Sequence, residues 1–160
     1  MSNNLQQVLT ASCIKLNEAV SSKKRALELI ANLFANSTNE LNQDEILDAL
    51  ATRENIGSTA LEKGIALPHC RVANCQHPMS AIVTLKEGID FDARDALPVT
   101  VLWALIVPEE ATAEHLDLLA EIAGILSNEH TCTLIKSAQD PQSLYAGIFD
   151  SNQSEHQIAG

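Results

Sequence analysis

The sequence predicts an α/β fold in three layers, a mixed β-sheet flanked by helices on both faces. Two stretches of helical periodicity come first, several extended apolar runs follow, and three further helical stretches close the chain. The extended runs succeed one another with no helix between them. Parallel neighbours need a long crossover, so some of these strands must pair antiparallel. One run, Val99 to Val107, is apolar and rich in β-branched residues, which marks a buried strand carrying Trp103.

Each element has its own signal. Glu18 to Ala35 reads as an amphipathic helix: Ala26, Leu27, Leu29, Ile30, Leu33 and Phe34 recur at helical spacing, with Lys23, Lys24, Arg25 and Glu28 outside the stripe. A second helix starts near Asn42, whose side chain can cap it with Glu45 three residues on. Its buried stripe is Ile46, Leu47, Ala49 and Leu50. A polar loop, Glu54 to Gly64, leads into a short extended piece, Ile65 to Leu67, that ends at Pro68. A proline forces the residue before it out of helical geometry, so Leu67 is extended. Met79 to Leu85 is a strand, ended by Glu87-Gly88. A helix then covers Thr112 to Ser127, with Leu116, Leu119, Ala120, Ala123 and Leu126 facing inward, and Cys132 to Ser137 adds a shorter one. Asp140-Pro141 pairs a capping residue with proline at the first helical position and opens a last helix to about Phe149. Residues 1–150 form one domain on this reading, and Ser151 to Gly160 a loose polar tail.

Bulk properties exclude several functions. A chain of 160 residues buries roughly 70% of its unfolded surface and needs no crosslink or metal to fold. With aromatics at 3%, the core is built from Leu, Ile, Val and Ala. The net charge of −11 argues against nucleic acid as a ligand, since that affinity comes from basic side chains displacing phosphate counterions. It also argues against anionic membrane surfaces. The longest apolar stretch, Val99 to Val107, is too short to span a bilayer. Met1 to Cys13 lacks the pattern of a signal peptide, which predicts a cytoplasmic protein whose four cysteines are reduced.

Five histidines are present. His77, His130 and His156 lie in polar surroundings, whereas His69 and His115 each sit at the edge of a buried element. A lone histidine is by default a solvated or packing residue, and context raises these two. Arg53-Glu54-Asn55-Ile56-Gly57-Ser58-Thr59 followed by Gly64-Ile65-Ala66-Leu67-Pro68-His69 resembles the active-site segment of the enzyme IIA domains of the mannitol/fructose class of the phosphotransferase system. Phe91-Asp92-Ala93, Pro98-Val99, Ala104 to Pro108 and His115-Leu116 resemble that family's second signature. Ser22 to Glu28 is similar to the nitrogen-regulatory branch, enzyme IIA-Ntr. The likeness runs from about Leu5 to Phe149, and several motifs in one order are far more specific than a single short match.

The resemblance implies a mannitol-type enzyme IIA fold and a phosphohistidine carrier without cofactor or metal. His69 would accept the phosphoryl group from an HPr/NPr-like carrier protein, and regulatory targets would sense the phosphorylation state. Neutral imidazole is a competent nucleophile toward phosphorus, and the resulting N–P bond can pass the group on. By the same resemblance His115 is a second active-site histidine, a neutral donor to the phosphoryl group in the first turn of its helix, where the dipole disfavours an imidazolium. Arg53 would offer paired donors to phosphoryl oxygen, against the plainer role of a helix-terminal cation. Ser58 and Thr59 would donate hydroxyls or simply shape a turn. Ala60, Glu62 and Cys70 stand where the family commonly has glycine, which allows left-handed backbone and close approach to phosphate.

Three rival readings use the same residues. His69, Cys70, Cys75 and His77 have spacing suggestive of a metal site but lack the usual two separated ligand pairs. Cys70 as a nucleophile would need a base, and His69, its neighbour on an extended segment, points to the opposite face. Within the family, the alternative to a regulator is a component passing phosphate to a sugar permease IIB domain. The N-terminal likeness and the absence of any membranous segment favour the regulator.

Overall fold

Strand β5 (Val99–Pro108) organises the molecule. It pairs antiparallel with β4 (Met79–Ile89) on one side and parallel with the short strands β2 (Ile65–Ala66) and β3 (His69–Val72) on the other. Strand β1 (Leu9–Glu18) pairs parallel with β4, giving a five-stranded mixed sheet in the order β1-β4-β5-β2, with β3 also on β5. The computed structural model describes residues 3–111 and 113–159, the side chains of 3, 4, 114, 115 and 151–159 excepted.

Successive β5 residues point to opposite faces, and both faces are covered. Leu102, Ala104 and Ile106 enter one core with Ala26, Ile30 and Phe34 of helix α2 (Lys23–Ser37) and Ile46 and Leu50 of α3 (Gln43–Ile56). Val101, Trp103, Leu105 and Val107 enter the other, with Leu5 of α1 (Asn3–Val8), Leu118, Ile122 and Ile125 of α4 (Ala113–Leu126), Ile135 of α5 (Glu129–Ser137) and Leu144 and Ile148 of α6 (Pro141–Ala159). The predicted three layers and mixed sheet are what forms. Among the described residues no helix is long and apolar enough to cross a membrane.

The caps read from sequence are in place. Asn42 accepts the backbone N–H groups of Asp44 and Glu45 at 2.8 and 3.3 Å, and Asp140 accepts that of Ser143 at 2.9 Å. These side chains satisfy amides that the first turn of a helix leaves without partners.

Several boundaries differ from the sequence reading. Residues 18–21 are not helical; α2 starts at Lys23, with Ser22 as its cap accepting the Arg25 N–H at 3.2 Å. Strand β1 carried no clear alternation because its register on β4 shifts between Leu9 and Ile14. Cys13 and Ile14 are both buried, one in each core, because neighbouring residues point to opposite faces and both faces of the sheet are covered. Strand β4 continues past Glu87-Gly88 to Ile89. On α4 the buried stripe is Leu118, Ile122, Ile125 and Leu126, while Leu116 is 67% exposed and Ala120 is exposed. That helix is apolar around much of its circumference, so periodicity left its inward face ambiguous and the sheet selected it. Helix α6 continues beyond Phe149 to Ala159, over residues assigned to the loose tail, because no glycine or proline interrupts 148–159.

A polar pair lies inside the second core. The Trp103 indole N–H donates to the Ser80 hydroxyl at 2.6 Å, and that hydroxyl donates to the Ala104 carbonyl at 3.0 Å, all of it buried. Ser80→Ala leaves the indole N–H buried without this acceptor, and the expected loss is about 1–3 kcal/mol. Urea unfolding followed by the fluorescence of Trp103 measures it; an unchanged midpoint contradicts the assignment.

Candidate active site around His69

The edge beside β5 is a strand broken by proline. Ile65 and Ala66 pair with Val101 and Leu102, and His69 to Val72 pair with Leu105 to Pro108, so one register spans the break. Pro68 lacks an N–H, but its carbonyl still accepts the Leu105 N–H at 2.9 Å. His69 therefore opens β3 instead of lying past the end of a strand, as the proline had suggested. Cys70 and Val72 join the core beneath α2 and α3, so strand alternation directs the half-buried His69 toward the opposite face.

One ring nitrogen of His69 is fixed. Nδ1 lies 2.8 Å from the Leu67 carbonyl, which can only accept, so in the neutral ring Nδ1 carries the proton and donates it. The lone pair then resides on Nε2. Burial holds the His69 pKa below its ordinary 6.5; the Leu67 hydrogen bond works against this, the Arg53 charge adds to it, and the Glu54 charge opposes it.

The Leu67 carbonyl is itself held by the loop after α3. Gly64, at φ 80°, turns the chain into β2, and its carbonyl accepts Thr100 and Val101 N–H groups at 2.9 and 3.2 Å. The Leu67 N–H donates to the Thr59 carbonyl at 3.0 Å. Thr59 is buried and gives both its N–H, at 3.2 Å, and its hydroxyl proton to the Glu54 carboxylate. Ser58 donates its hydroxyl to the Phe91 carbonyl at 2.6 Å, and its oxygen accepts the Ala60 N–H at 3.1 Å. Both hydroxyls thus shape the loop. Arg53, in the last turn of α3, donates to the Gly57 carbonyl at 2.9 Å, capping its own helix, and its charge is felt at His69. His115 belongs to the first turn of α4, but its side chain lies outside the described residues.

Glu54 is the site-proximal residue that sequence reasoning passed over, as the first residue of a polar loop. It is only 7% exposed, and Lys23, assigned to the outer face of α2, reaches it at 2.9 Å. Lys23 also stacks over the Phe91 ring at 4.6 Å. The available signal was a carboxylate at the end of a helix next to an arginine, which does not reveal burial.

The three departures from glycine do not strain the backbone, since none of Ala60, Glu62 and Cys70 has a positive φ; Lys63 (66°) and Gly64 (80°) carry the left-handed turn. Cys70 is buried, and burial together with nearby Cys75 pushes its thiol up to about 12, away from the thiolate a nucleophile or metal ligand requires. Cys75 donates its thiol to the His77 carbonyl at 3.1 Å. Among the described residues no group of three or more His, Cys, Asp or Glu is arranged to hold a metal ion, so His69, Cys70, Cys75 and His77 are not assembled into such a site.

The chain is similar to known proteins along most of its length. The family model described as "Phosphoenolpyruvate-dependent sugar phosphotransferase system, EIIA 2" matches residues 7–151. A nitrogen regulatory protein of Pseudomonas aeruginosa is 44% identical over 146 residues, covering 91% of this chain and 95% of the relative. The crystal structure of nitrogen regulatory protein IIA-Ntr from Neisseria meningitidis superposes with a TM-score of 0.84 at 33% identity, covering 90% of this chain and 98% of that one. The crystal structure of mannitol IIA from Escherichia coli shares the fold, with a TM-score of 0.67 at 17% identity over 86% of this chain and 98% of its own.

The lowered His69 pKa has a measurable consequence. Between pH 6.5 and its depressed midpoint the unfolded chain binds a proton that the folded chain does not, so this residue's contribution to stability falls as pH drops through that window. Below the folded midpoint the loss levels off. Histidine Cε1–H resonances followed against pH should give His69 a midpoint below 6.5; a value at or above 6.5 contradicts the burial argument.

Proposed function

From the premise that the chain belongs to the EIIA 2 family of the phosphoenolpyruvate-dependent sugar phosphotransferase system, we propose that His69 accepts and relays a phosphoryl group as a phosphohistidine. The observation that carries this is the ring's tautomer: Nδ1–H donates to the Leu67 carbonyl, and the nucleophilic lone pair is on Nε2. The depressed pKa keeps that lone pair unprotonated at neutral pH.

In the step proposed, Nε2 attacks the phosphorus of a phosphohistidine on an HPr/NPr-like carrier. The new N–P bond forms as the donor's N–P bond breaks, and the donor imidazole leaves with that electron pair. The His69 ring, still protonated at Nδ1, becomes a cation, and its bond to the Leu67 carbonyl becomes charge-assisted. Alignment and charge stabilisation govern such transfers. Arg53 supplies positive charge for the phosphoryl oxygens, and His115 a neutral hydrogen bond from the start of α4. Ser58 and Thr59 keep the loop in shape. The chain returns to its starting state once the group is passed on, so it works as a stoichiometric intermediate.

The regulatory role is favoured over passage to a sugar permease IIB domain, supported by the likeness to nitrogen regulatory proteins along nearly the whole chain. Phosphorylation adds about 1.5 to 2 negative charges at the site, enough to switch contacts with regulatory targets in the cytoplasm.

Reconstitution with a carrier protein charged from phosphoenolpyruvate tests the central reading. Wild type should gain acid-labile phosphate, visible as a Phos-tag shift, and His69→Ala should gain none; uptake by that variant defeats the reading. In the same assay, replacing Glu62 and Ala60 together by glycine removes one negative charge from the loop after α3 and should speed uptake about twofold. Unchanged kinetics would show that these departures from the family pattern are neutral.

A further inference from the structure

We propose that Glu54 is a positioning residue for His69, acting through Thr59 and Leu67 to hold the imidazole in its Nδ1–H tautomer and to favour the cationic ring formed on phosphorylation. The inference rests on the reading of His69 as the phosphoryl acceptor and names a residue to which that reading gave no role.

The contacts form one continuous chain. Lys23 Nζ lies 2.9 Å from a Glu54 oxygen. Glu54 accepts the Thr59 N–H at 3.2 Å together with the Thr59 hydroxyl. The Thr59 carbonyl accepts the Leu67 N–H at 3.0 Å, and the Leu67 carbonyl accepts the His69 Nδ1 proton at 2.8 Å. Thr59 and Leu67 each spend the amide on the link before and the carbonyl on the link after, so anchoring Thr59 to Glu54 fixes where the Leu67 oxygen stands. The chain ends on the nitrogen opposite the reactive one.

A loop anchor alone needs just a neutral acceptor, whereas burying a carboxylate is costly unless its charge is used or matched. Lys23 matches part of it from one side. On the other, the Glu54 charge acts on His69 in the direction that favours a cationic ring, opposing Arg53. Arg53 and Glu54 are adjacent at the end of α3 and divide the transferred charge between them. The cation serves the phosphoryl group, and the anion serves the imidazolium.

The test compares the full-length wild type with Glu54→Ala and with the near-isosteric pair Glu54→Gln plus Lys23→Met, which can still accept from Thr59 but carries no charge. Imidazole 15N NMR reports the His69 tautomer and midpoint, and transfer from the charged carrier reports the rate. Wild type should show the Nδ1–H form, and Glu54→Ala a mixture of tautomers with uptake slowed about tenfold or more. The neutral pair should restore the tautomer yet keep a lower His69 midpoint and slower uptake. A folded Glu54→Ala with wild-type tautomer and rate overturns the proposal. Should that variant not fold, an unchanged midpoint and rate in the neutral pair overturn it instead. If wild type takes up no phosphate while Glu54→Ala shifts the tautomer, the acceptor reading fails and the positioning role stands.

Discussion

Strand β5 is the constraint on which the rest depends. It is buried on both faces and paired along both edges, so every layer is referred to it. Its antiparallel partner β4 carries the link to β1, and its parallel partner is the broken edge that bears His69. The histidine is therefore mounted directly beside the most deeply packed strand of the protein, on the edge that pairs with it. A reactive ring needs such a mount, because alignment governs transfer and packed interiors resist displacement.

The break at Pro68 converts this rigidity into chemistry. Alternation along this edge turns the Gly64 and Pro68 carbonyls to β5 and leaves the Leu67 amide and carbonyl facing away from it. Here the amide turns to Thr59 and the carbonyl to the His69 ring, while the Pro68 carbonyl keeps β5 in register. The loop gripping Leu67 is in turn fixed by Glu54 and Phe91, which meet around Lys23. Two opposed charges at the end of α3 thus sit behind one imidazole whose tautomer is already set.

Much of the fold was legible from sequence because local signals and burial agreed. The stripe on α2, the Asn42 and Asp140 caps and the run at Val99 to Val107 each specify one element with little help from outside. Where they disagreed, the reading slipped. Strand β1 lies at the sheet edge with a shifted register, so its alternation is interrupted. Helix α4 is apolar on too many sides for its 3.6-residue period to choose a face. At the site, His69 emerged from motif order, but Glu54 and Lys23 did not. Two polar residues 31 positions apart have no local mark of a buried pair.

By itself the sequence determined the layer architecture, the family likeness and which histidine to propose as the acceptor, since these follow from the kinds of residue present and their order along the chain. Tertiary structure decided which ring nitrogen of His69 holds the proton, that Ser58 and Thr59 spend their hydroxyls on the loop, and that Glu54 is buried behind them. Those outcomes depend on contacts between segments far apart in the chain. A carboxylate or hydroxyl keeps the same letter whether water or a neighbouring strand takes its hydrogen bonds, and only packing decides between the two.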